Sequence, residues 1–110
     1  MTTVTVETKF AEILASFGDV QESVNAAVQR YTIEQITNKI TELRRKDEEF
    51  QKKYGMDYSS FAKRTSDDDE FVKSTESTVS KTWEGDLADW EFCHAGVEEW
   101  TQKLQDILLK

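Results

Sequence analysis

One cysteine, one histidine, no proline and four glycines make up a short list of special residues for a chain of 110. A single thiol, Cys93, excludes an internal disulfide, and with His94 as the lone imidazole there is no His/Cys set for structural zinc. Cys93 and His94 are sequence neighbours, so on a helix their side chains point about 100° apart and do not form a nucleophile–base pair. Asp67-Asp68-Asp69-Glu70 lacks the glycine and closing glutamate of an EF-hand and reads as a solvated charge run. No glycine-rich phosphate loop and no nucleophile elbow occurs. These gaps point away from an enzyme, a metal site or a bound cofactor. Apolar runs no longer than Ile107-Leu108-Leu109 cannot span a bilayer, and no basic segment leads into an apolar one at the N-terminus. The expectation is a cytoplasmic protein with no membrane partner.

Leu, Ile, Val and Phe supply 25 of the 110 residues, just above the roughly 20% below which charged chains stay unfolded. The chain folds with little core to spare, and at this size a partner commonly completes the burial. A homodimer is therefore expected. The net charge of −8 is unevenly spread. Residues 1–43 carry −3, residues 44–64 carry +3 and residues 65–110 carry −8. This divides the chain into a dimerisation region, 1–43, and a helical, acidic partner-binding region, 44–110.

The pattern predicts a mainly α protein. Thr2 to Glu7 alternates polar and apolar side chains and is β-branched from 2 to 6, the signature of a short strand with Val4 and Val6 on one face. A lone strand needs a partner, and the natural one is its copy across a dimer. Thr8 then serves as an N-cap, and Phe10, Ile13, Leu14 and Phe17 recur at helical spacing up to Gly18. Asp19 caps a second helix carrying Val20, Val24, Ala27, Val28 and Tyr31. With no proline to stop it, its stripe runs on through Ile33, Ile36, Ile40, Leu43, Asp47, Phe50 and Tyr54 to Gly55, a long central helix with one acid in its seam. Thr32 and Thr37 weaken it without ending it, which leaves open a fold-back near Thr32. Met56, Tyr58 and Phe61 mark a short turn and helix. Hydroxyl-rich 71–82 is a weak helix. A C-terminal amphipathic helix follows from Asp86, with Leu87, Trp90, His94, Val97, Leu104 and Leu108 on one stripe.

The strand Thr3-Val4-Thr5-Val6, the helix Phe10–Phe17, the turn Gly18-Asp19 and Ser23–Tyr31 together resemble the ribbon-helix-helix DNA-binding domain of the Met and Arc repressor family. The resemblance covers about a third of the chain. It implies strands paired across a two-fold axis, Thr3 and Thr5 directed at operator DNA, and a dimer held by Val4, Val6, Phe10, Leu14, Val24 and Val28. From Leu43 through Lys52-Lys53-Tyr54-Gly55-Met56 to Phe61, the chain is loosely similar to small helical proteins encoded beside bacterial toxin genes. That similarity implies an antitoxin-like regulator. Trp83, Phe92 and Trp100 as anchors, with Asp86, Asp89 and Glu91 around them, would bind a basic, toxin-like protein. Trp90 shares the apolar stripe and is assigned to the core. A structural or adaptor helical bundle without DNA binding is the other reading, with the tryptophans as core.

Overall fold

A computed structural model describes residues 3–109 and is 83% helical. Five helices follow one another: α1 Thr8–Ala15, α2 Val20–Tyr54, α3 Tyr58–Asp67, α4 Asp69–Thr78 and α5 Trp83–Leu108. The expected β-strand is a correction: among the described residues there is no strand, and residues 3–7 are irregular. Thr2, where the alternating pattern begins, lies outside the described residues. The reason is backbone accounting. Every ladder hydrogen bond of a two-stranded ribbon needs a group on the second strand, and no other segment of this chain has the matching character. Val4 is exposed and Val6 half-buried. The cap of α1 also sits one residue earlier than Thr8, because the Glu7 carbonyl accepts from the N–H groups of Phe10 and Ala11.

The chain divides into two compact units, Met1–Gln35 and Ile36–Lys110. In the first, Gly18 turns the chain at φ 135, and the Asp19 carboxylate accepts from the Gln21 N–H at 2.8 Å to start α2. Ala11, Leu14, Val20, Ser23 and Val24 are half-buried, and no residue of α1 is buried. Phe10, Ile13, Phe17, Val28 and Tyr31 face solvent.

The second unit holds the core. Ile36, Ile40, Leu43 and Tyr54 of α2 are buried, as the three/four stripe requires. α2 ends where Gly55 takes φ 72 and its N–H returns to the Gln51 carbonyl at 2.8 Å. The C-terminal half of α2 and α5 form an antiparallel hairpin, since Leu43 meets Gly96, Asp47 meets Trp90 and Lys53 meets Asp86. α3 crosses one side of this hairpin. Its Phe61, fully buried, stacks on Tyr54 at 4.3 Å and on Trp90 at 5.5 Å, and meets Trp83 edge-on at 6.4 Å. α4 closes the end through Phe71 and Val72. α5 begins at Trp83, three residues before the sequence pattern suggested, which directs that indole into the core, where it donates to Glu76 at 3.0 Å.

At Gly96, α5 packs directly against the Leu43 side chain of α2. A Cβ there would lie 2.8 Å from Leu43 Cδ1 and 3.8 Å from its Cγ. Gly96→Ala sets a helix-propensity gain of about 1 kcal/mol against overpacking of about 1–3 kcal/mol. Urea denaturation should show a net loss of about 1 kcal/mol, and adding Leu43→Val should recover part of it. A plain gain in stability from Gly96→Ala would refute the close approach.

Candidate functional site

α5 presents two unlike faces. Residues 83, 87, 90 and 94 turn toward α3, which places Phe92, two residues on from Trp90, on the opposite side. Trp90 is 0% exposed, and its Nε1–H donates to Asp47 Oδ1 at 2.5 Å. The other oxygen of Asp47 stands 3.7 Å from His94 Nδ1, and His94 stacks on Tyr58 at 5.0 Å. The one acid in the α2 seam thus satisfies the indole of the central tryptophan.

Asp86 is held from two sides. Lys53 Nζ approaches at 2.6 Å and the Tyr54 hydroxyl donates at 2.5 Å. Burial opposes its charge, but these two hydrogen bonds and the lysine charge outweigh that and hold the carboxyl below its ordinary pKa. Burial pushes the Cys93 thiol up, so at neutral pH it is a packed, protonated side chain. Among the described residues, no group of three or more His, Cys, Asp or Glu is placed to hold a metal ion. No described helix is long and apolar enough to cross a membrane.

The six residues read as a partner-binding set are therefore not one surface. Trp83 is buried and Asp86 is committed to Lys53 and Tyr54. Asp89, Glu91 and Phe92 remain outside, with Phe92 69% exposed. Trp100 is half-buried, and Lys103 Nζ lies 4.2 Å above its ring. Thr3 and Thr5 are exposed on irregular chain rather than aligned on a ribbon. Of the residues assigned to dimerisation, Val4, Phe10 and Val28 are exposed, whereas Val6, Leu14 and Val24 are half-buried.

Phe92 stands between two shallow concavities in the second unit. One is floored by Ala88, Ala95, Gly96 and Leu43 and ends at Trp100. The other runs over Phe50 and Cys93 to Lys46. The small residues at 88, 95 and 96 went unremarked in the sequence because small side chains add nothing to an apolar stripe. Their spacing of seven and eight places them on one helix face, and that was the available signal.

The chain matches no family model, no curated protein and no solved structure.

Proposed function

We propose that this chain is a non-catalytic, antitoxin-like protein that binds a basic partner protein through the outer face of its acidic C-terminal unit. One observation carries the reading. Phe92, a large apolar side chain, stands 69% exposed beside Asp89 and Glu91, neither of which has a salt-bridge partner among the described residues. An aromatic anchor ringed by acids suits a basic surface, since charge steers the encounter and the ring supplies burial. The N-terminal unit supplies self-association. Exposed Phe10, Phe17, Val28 and Tyr31 leave it short of burial alone, and a second copy would cover them.

The burial of Trp83 and Trp90 favours a second reading, a structural or adaptor bundle, because a self-contained core needs no partner to complete it. Co-expression with the protein encoded beside it separates the two. On the antitoxin-like reading that neighbour is basic and arrests growth alone, co-expression restores growth, and the complex is isolated. Asp89→Lys with Glu91→Lys should then weaken the complex by about tenfold or more, with a steep salt dependence. Growth unaffected by the neighbour, or no complex at low salt, would leave the adaptor reading.

A further inference from the structure

Resting on the partner-binding reading above, we infer that the two concavities flanking Phe92 receive one amphipathic helix of the basic partner, laid along the groove between α2 and α5. Three features of the second unit lead there. α3 covers one side of the α2/α5 hairpin, and Phe92 and the concavities beside it lie on the other. The groove floor is made of Ala88, Ala95 and Gly96, and small residues let a third helix come close enough for its large side chains to seat beside Phe92. The rim is acidic. Glu49, Asp89, Glu91 and Glu99 border the concavities against one base, Lys46.

The ion pairs sharpen that charge argument. Lys46 is 3.4 Å from Glu42, Arg45 is 2.7 Å from Glu49, and Lys103 is 3.4 Å from Glu99. Asp89 and Glu91, each bordering one of the two concavities, have no such partner among the described residues. A helix with leucine-like residues on one face and Lys or Arg along its edges would seat its apolar side chains on the small-residue floor and set its charges against these two acids. A second copy of this chain fits less well, because the rim it would bring is acidic too.

The test uses the full chain and a synthetic Leu/Lys amphipathic helical peptide, with its Leu/Glu counterpart as control. In amide chemical-shift mapping, the Leu/Lys peptide should move Leu43, Ala88, Ala95 and Gly96 together, and the Leu/Glu peptide should move none of them. Phe92→Ala should weaken binding about tenfold with an unchanged melting temperature, because Phe92 is exposed. Shifts scattered over all the acidic residues, or binding indifferent to Phe92→Ala, would overturn the inference as charge attraction without a site. Shifts of the same amides that depend on protein concentration without peptide would assign the groove to a second copy and also overturn it. If the neighbouring protein binds but Phe92→Ala changes nothing, the groove fails while the partner reading stands. If no basic neighbour binds yet the peptide maps to the groove, the antitoxin-like reading fails and the groove's preference for a basic helix holds.

Discussion

Trp90→Ala should remove most of the stability of the C-terminal unit. Its ring is wholly buried between Phe50 at 5.6 Å, Tyr54 at 5.9 Å, Phe61 at 5.5 Å and Tyr58 at 5.8 Å. Truncating a buried Trp costs about 3–5 kcal/mol, and a small domain holds only about 5–15 kcal/mol in total. The indole also gives Asp47 its hydrogen bond, so the variant leaves a half-buried carboxylate without that donor, with His94 Nδ1 3.7 Å from its other oxygen. In urea the midpoint should fall to a small fraction of its starting value, with loss of near-ultraviolet circular dichroism at 25 °C.

Two further variants divide that loss. Trp90→Phe keeps a ring in place but strands Asp47, and should cost about 1–3 kcal/mol beyond the change in ring size. Trp90→Phe with Asp47→Leu should be more stable than Trp90→Phe alone, because replacing both partners leaves no unmet polar group. If Trp90→Phe matches the parent, the Asp47 bond contributes nothing and the seam acid is merely solvated.

The long helix was legible in its uninterrupted three/four stripe and the absence of proline. Its continuity past Thr32 was not, because a threonine weakens a helix without ending it; α2 runs unbroken from Val20 to Tyr54. The helix ends at Gly55, where the stripe ends, and there the glycine takes a positive φ that a side chain would oppose. The strand was misread. Alternation at residues 2–7 reports what a segment could do with a partner, and a single chain offers it none. The acidic, tryptophan-rich tail was only half legible. Composition counts Trp83 and Phe92 alike as anchors, yet their angular positions on α5 send one into the core and leave the other in water. Asp47 stood out as a polar residue in an apolar seam, but its partner lies 43 positions away, a distance over which no local pattern carries information. The compact units meet at 35/36, whereas the change in charge falls at 43. Ile36, Ile40 and Leu43 are buried in the second unit, and charge patterning does not register which apolar residues pack together.

Stability should also fall steeply in alkali, and Tyr54 sets the window. Burial first, then its hydrogen bond to Asp86 and the charge of that carboxylate, push the Tyr54 hydroxyl from 10.0 up to about 12. An unfolded tyrosine loses its proton near pH 10. Below that pH both states hold the proton, and the stability contributed by this site is fully present. Between about pH 10 and pH 12 the unfolded chain ionises while the folded one resists, so stability declines, and the loss is complete once the folded hydroxyl titrates. Two pKa units correspond to roughly 2–3 kcal/mol. Urea midpoints measured from pH 9 to pH 12 should show this fall, and Tyr54→Phe should flatten most of it while leaving the aromatic stack on Phe61. Lys53→Met is the discriminating control. It removes the ion-pair partner of Asp86 and leaves the Tyr54 hydroxyl in place, so it should preserve the decline. A slope that survives Tyr54→Phe undiminished would refute the buried hydroxyl as the source of the alkaline sensitivity.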